Sequence, residues 1–184
     1  MAERILTIGQ GIGCASPSAR VMVFIDGTNL LNRLREHGLR LTNLPGLLET
    51  VTHGRTLVRA YFYCVEQKVE KAKGVHGAEF LAGTRVVYGE TVTAPDGSRE
   101  KGVDALLVAD LVYHAAARNC DYAVLMTHDT DFRHAIRRVE DFGCKSAVCA
   151  LCEDAPKRLQ EACDRYIHWP DDRLINWKFA EKTE

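Results

Sequence analysis

Apolar and polar positions along this chain switch repeatedly between two patterns. Residues 21–25, VMVFI, form a continuous apolar run that ends on Asp26 and is followed by Gly27, Thr28 and Asn29. Such a short uninterrupted run reads as a strand buried on both faces. The period then changes to that of a helix in TNLLNRLREHG, where Leu30, Leu31 and Leu34 share a side, Thr28 or Asn29 can cap, and Gly38 ends it. LPGLLETVTHG is a second short helix with Pro45 in its first turn, RTLVRAYFYCV a buried strand, and EQKVEKAKGVHGAEFLAG a polar, helix-prone segment. TRVVYGETV is rich in strand-forming residues, and the turn at Pro95, Asp96 and Gly97 predicts a hairpin or flap. A strong helix from Val103 to about Arg118 is followed by the strand YAVLM, the helix RHAIRRVEDFG and the strand KSAVCAL. The remainder reads as a last helix and a short strand at an edge, anchored by Trp169 and Trp177.

Alternating strands and helices with connections long enough for crossovers predict an α/β fold, a central and mainly parallel sheet with helices on both faces. With 184 residues, 46% of them apolar, one core is expected. The expected organisation is a loose arm over 1–20, a domain over 21–170 and a C-terminal tail over 171–184 packing on it. The arm contains GQGIG, which lacks the strand, helix and placed acid of a phosphate-binding glycine loop.

Charge and cysteine usage narrow the picture only slightly. Lys and Arg number 24 against 25 Asp and Glu, so any surface for nucleic acid has to be local. No apolar run approaches the roughly 18 residues of a membrane span, and the N-terminus lacks a signal-peptide pattern, so a cytoplasmic protein with no membrane partner is expected. Seven cysteines in mostly apolar surroundings read as reduced core residues. Cys149 and Cys152 form a CxxC, with Cys144, Cys163 and His168 near in sequence, but no second ligand pair at zinc spacing follows.

Acids occupy the positions where the strands end and the helices start: Asp26 after VMVFI, Asp104 opening the helix at Val103, and Asp129 with Asp131 after YAVLM. In a parallel sheet these positions fall on one edge, the edge at which such folds bind ligands. Gathered carboxylates repel one another unless a cation is present, and a hard divalent ion such as Mg²⁺ takes oxygen ligands from a few carboxylates and a phosphate. Metal-assisted phosphoryl transfer is the chemistry this pattern points to. At 100° per residue, Leu106, Asp110, Val103, His114, Leu107 and Leu111 share one core-facing stripe. Asp110 is therefore either an outer member of the acidic site or a buried carboxylate held by His114. Tyr61, Phe62 and Tyr63 could stack bases if exposed, but sheet core is the expectation.

FIDGTN, KGVDALLVAD and LMTHDTDF, in this order, resemble the three motifs of NYN domains, PIN-like relatives of ribonucleases, over about residues 20–170. The resemblance implies a three-layer α/β/α PIN-like fold and metal-dependent cleavage of RNA, single-stranded or structured. It places Asp26, Asp104, Asp129 and Asp131 as catalytic acids and ligands of Mg²⁺ or Mn²⁺, with Asp110 as a further acid and Asn29 as a ligand-side donor. Lys101, Arg133 and Arg137 are candidate contacts to the RNA backbone. The last motif reads Thr127, His128, Asp129 where the family has Ser-Gly-Asp, so His128 is a candidate phosphate contact or proton donor. A homodimer would lengthen the RNA-binding surface. Haloacid-dehalogenase and Toprim phosphotransfer sites fit less well, because the first lacks its second acid after Asp26 and the second its early Glu. The competing reading of another class is a catalytically weak PIN-like module that binds RNA or protein.

Overall fold

The computed structural model describes residues 18–94 and 97–183, so GQGIG, Cys14, most of the expected arm and Pro95 and Asp96 of the expected turn lie outside the described residues. The chain runs β1 (Arg20–Asp26), α1 (Gly27–Glu36), β2 (Leu39–Leu41), α2 (Leu44–Thr52), β3 (Thr56–Val65), α3 (Glu66–His76), β4 (Thr84–Ala94) and β5 (Gly97–Lys101). It continues with α4 (Val103–Ala116), β6 (Tyr122–Met126), α5 (Arg133–Asp141), β7 (Lys145–Cys152), α6 (Lys157–Gln160), β8 (Arg165–Pro170), α7 (Asp171–Asn176) and β9 (Ala180–Lys182). β1 takes in Arg20, which the sequence pattern leaves in the arm.

Seven strands form one sheet in the order β5-β4-β3-β1-β6-β7-β8. Six are parallel, and β5 folds back antiparallel on β4 as the expected hairpin, with Ala94 opposite Gly97. The side-chain period of two sends alternate residues of β1 into different layers. Val21, Val23 and Ile25 pack with Leu30 and Leu34 of α1, Leu47 and Val51 of α2 and Val69 of α3. Met22 and Phe24 pack with Leu107 and Leu111 of α4 and with Ile136 and Val139 of α5. The result is the three-layer α/β/α arrangement. Tyr61, Phe62 and Tyr63 are buried in the sheet, as expected. The buried stripe of α4 is Val103, Leu107, Leu111 and Ala115, so Leu106, placed in it by the helical wheel, is exposed instead.

The tail departs most from the pattern. Only Lys157–Gln160 of the expected last helix is helical, and Arg165–Pro170 becomes β8, pairing in parallel with β7. α7 follows at once, and β9 pairs antiparallel with β2, a strand of three residues too short to show in the sequence pattern. Trp169 is buried beneath the guanidinium of Arg173, 4.0 Å from its ring centre, with Phe179 edge-on at 5.4 Å. Among the described residues no helix is long and apolar enough to cross a membrane.

The order of strands reverses at β1. From β1 the chain moves to β3 on one side, and α4 later returns it to β6 on the other. α1, leaving β1, covers one face, and α5, leaving β6, covers the other, so a crevice opens between them at the carboxyl ends of the two strands. Gly27 makes the tight exit from β1 possible: a Cβ there would lie 2.4 Å from Phe62 Cε1 and 2.7 Å from the Tyr63 carbonyl oxygen. Gly27→Ala is expected to destabilise the fold by roughly 1–3 kcal/mol, the usual cost of forcing extra volume into a packed core. Urea denaturation checks this, and an unchanged midpoint would contradict the packing described at this turn.

Candidate active site

A cavity of about 430 Å³ opens at the crevice, lined by Asp26, Thr28, Asn29, Asn32, Gly102, Val103, Asp104, Ala105 and Asp129. Period-two alternation puts Asp26 on the same face as Met22 and Phe24, the face that α4 covers, and α4 carries Asp104 in its first turn. Gly102, at φ +82°, lets the chain turn from β5 directly into α4. Asp129 caps a short 3₁₀ turn, Thr130–Phe132, after β6.

Asp26 is only 4% exposed. It is also the N-cap of α1: its Oδ1 accepts the Asn29 N–H at 3.0 Å. Its Oδ2 accepts the Thr127 hydroxyl at 2.9 Å, and the Thr127 oxygen in turn accepts the Asp129 N–H at 3.1 Å. These bonds orient the carboxylate and favour its charged form, yet burial dominates and pushes its pKa up from 3.8 to about 6. The carboxylates of Asp104 and Asp129 add to the rise by like-charge repulsion.

Asn29 joins the two halves of the crevice. Its side-chain oxygen accepts the His128 backbone N–H at 3.2 Å. Because that group can only donate, the orientation of the amide is fixed, and the NH₂ of Asn29 is its remaining donor group. Thr28 and Asn32 also line the cavity, and neither stands out in the motifs. Asn32 could have been found from helical spacing, since it lies one turn beyond Asn29 on the same side of α1.

The other candidates take different positions. Asp131 donates its N–H to Asp129 Oδ1 at 2.9 Å, is exposed, and is not among the lining residues. His128 is buried; its Nδ1 faces Asn29 Oδ1 and its Nε2 the Glu153 carbonyl oxygen, both at 3.0 Å. Burial holds its pKa below the ordinary value. The ring thus lies between α1 and the end of β7, and it is not among the residues that line the cavity. Asp110 accepts the Tyr63 hydroxyl at 2.9 Å, about 9 Å along α4 from Asp104, while His114 bonds to Tyr61 and Asn119. Its partner is therefore a tyrosine of β3 and not His114, and it does not line the cavity.

Lys101 ends β5 as an exposed residue, and Arg133 donates to the Thr130 carbonyl oxygen at 3.1 Å; neither lines the cavity. Arg137, one turn further along α5, lines a separate polar cavity with Glu140, Asp141, Glu161 and Asp164. The expected sharing of a helix face by Arg133 and Arg137 does not bring Arg137 to the crevice, because α5 runs away from the strand ends.

The carboxylates and the hydroxyl of the cavity are hard oxygen donors, the kind that Mg²⁺ and Mn²⁺ prefer, and the raised pKa of Asp26 is what a divalent ion would reverse. The residues present therefore fit such an ion. With the cation chelated, Asp26 binds its proton more tightly in the folded chain than in the unfolded one, so ionisation costs stability as pH rises from about 4 through about 6. Asp26→Asn is expected to gain on the wild type over that window, reaching ~1–3 kcal/mol above it. Urea denaturation in EDTA from pH 4 to pH 8 measures the difference, and a gap independent of pH would contradict the buried, repelled state of Asp26.

A family model for the NYN domain matches residues 20–172. No curated protein matches the chain. Among solved structures, a protein of unknown function from Vibrio parahaemolyticus, VPA0982, is similar, with a TM-score of 0.66 at 17% identity over 86% of this chain and 98% of that one. At that identity the likeness speaks for the fold alone. The family model takes in all six parallel strands and the acidic crevice, and this chain belongs to the NYN domain family, within the PIN-like superfamily.

Proposed function

We propose that the protein is a metal-dependent ribonuclease that hydrolyses RNA phosphodiester bonds in the Asp26, Asp104 and Asp129 cavity. The observation that carries this reading is the state of Asp26, a carboxylate buried at a strand end, fixed by two hydrogen bonds, and raised in pKa by burial and by two neighbouring carboxylates. Keeping such a group charged is costly, and a bound cation removes the cost. Membership of the NYN family supports nuclease chemistry as the use of that cation.

Asp26, Asp104 and Asp129 are the residues that would hold Mg²⁺ or Mn²⁺, with Asp131 one short turn away to orient a water. When bound, the ion supplies positive charge for the scissile phosphate and for the water that attacks it. The chain's own groups do the positioning. Thr127 holds Asp26 Oδ2 and the Asp129 backbone together, so the two acids move as a unit. The NH₂ groups of Asn29 and Asn32 are neutral donors that suit phosphate or ribose oxygens without adding charge to the site. Lys101 and Arg133, outside the cavity, are the cations that would meet the RNA backbone.

The test is cleavage of labelled single-stranded RNA and DNA with Mn²⁺ or EDTA, using wild type, Asp26→Asn and Asp129→Asn. RNA cleavage that requires the ion and falls about a hundredfold or more in each variant is expected. Cleavage that persists in EDTA and in both variants would overturn the mechanism. RNA that is bound but never cut would identify a binding module instead.

A further inference from the structure

A second group of ligand-bearing side chains lies away from the acidic cavity, where the end of α1, the end of β7 and the start of α7 meet. One nitrogen of His37, the sulfur of Cys152 and one oxygen of Asp171 all lie within 4.8 Å of one another. We propose that these three side chains form a zinc site that clips the C-terminal segment, α7 and β9, onto the body of the domain.

The donor set is the first reason. One imidazole nitrogen, one sulfur and one carboxylate oxygen make a mixed set that favours Zn²⁺ over the hard ions suited to the cavity. Zinc bonds of about 2.0–2.3 Å in tetrahedral geometry place ligand atoms about 3.3–3.8 Å apart. His37 Nδ1 and Asp171 Oδ2 are 3.0 Å apart, and the whole set is contained within 4.8 Å, so small side-chain shifts suffice.

The surroundings are the second reason. His37 Nε2 faces Glu153 Oε1 at 3.3 Å, and Glu153 is itself held by Arg33 at 3.1 Å. With Nδ1 on the ion, Nε2–H donates to this carboxylate, the arrangement that fixes the tautomer of metal-bound histidines. Asp171 Oδ1 is buried and makes no hydrogen bond of acceptable geometry, although the Cys152 thiol faces the same carboxylate. Cys152 also stands at φ +68°, a left-handed conformation that favours glycine, at the point where β7 ends. Lys182 Nζ lies 3.7 Å from Asp171 Oδ2 and donates to the His37 carbonyl oxygen at 3.2 Å, so in the apo protein it partly neutralises Asp171. Its side chain is largely exposed and free to swing into solvent when the ion enters. A water completes the fourth position.

The consequence is mechanical. His37 ends α1, Cys152 ends β7 and Asp171 opens α7, so one ion joins three elements far apart in sequence. Because the site shares no residue with the acidic cavity, the two can be tested separately.

Cobalt(II) added to the purified full chain is the probe. One equivalent is expected to give a thiolate-to-cobalt charge-transfer band that one equivalent of Zn²⁺ abolishes. The band should persist in Asp26→Asn/Asp129→Asn and in Cys163→Ser, and vanish in Cys152→Ser. His37→Gln, which leaves the buried thiol untouched, should weaken zinc affinity more than about a hundredfold, beyond the usual effect of an outer-sphere group. Zinc should also slow amide hydrogen exchange over 171–182 in the wild type but not in His37→Gln. Absence of the band, its survival in Cys152→Ser, or exchange over 171–182 unaltered by zinc would overturn the proposal.

Discussion

A carboxylate held almost entirely out of water at the end of the central strand is the constraint on which the rest of this structure turns. Asp26 cannot relax toward solvent: β1 is flanked by β3 and β6, α1 begins on the next residue, and Gly27 is pressed against Phe62 and the Tyr63 carbonyl. Two hydrogen bonds recover part of the lost hydration, and burial still outweighs them. The fold tolerates this because the strand order reverses at β1, leaving a crevice in which further acids, and a cation, can stand beside Asp26.

α1 is the element that spreads this constraint through the molecule. In its first turn the Asn29 N–H is capped by Asp26, its second and third residues beyond that cap bring Thr28 and Asn29 to the cavity, and Asn32 follows a turn later. His128 then links Asn29 to the carbonyl of Glu153, whose carboxylate pairs with Arg33 and His37 near the other end of the same helix. The crevice and the His37, Cys152 and Asp171 cluster thus stand on one rigid element, and order imposed at the tail would steady the helix that carries the amides of the cavity.

Much of this could be read from the chain because the strong signals are local. VMVFI ending on Asp26, the acid opening the helix at Val103 and the acid after YAVLM each sit where a strand or helix boundary is marked by a change of period, and a parallel sheet carries those boundaries to one edge. What stayed hidden depends on contacts between distant segments. His128 reads as an available imidazole until its two nitrogens are seen against Asn29 and Glu153, 99 and 25 residues away. Asp110 meets Tyr63 across 47 residues rather than the histidine one turn on. Arg133 and Arg137 share a helix face, but the direction of α5 relative to the crevice is set by tertiary packing. The short strand expected at an edge is β8, but its bounds stayed hidden because Arg165–Pro170 has mixed polarity and becomes a strand by adding to the edge of β7.

Crystals of the protein soaked in Mn²⁺ and measured at the manganese absorption edge test the central claim most directly, because they locate the ion without reference to any substrate. The expected result is an anomalous peak bounded by the carboxylates of Asp26, Asp104 and Asp129, absent from crystals of Asp26→Asn. No peak in the crevice, or manganese found only elsewhere on the protein, would contradict the account of Asp26 as the centre of a divalent-metal site.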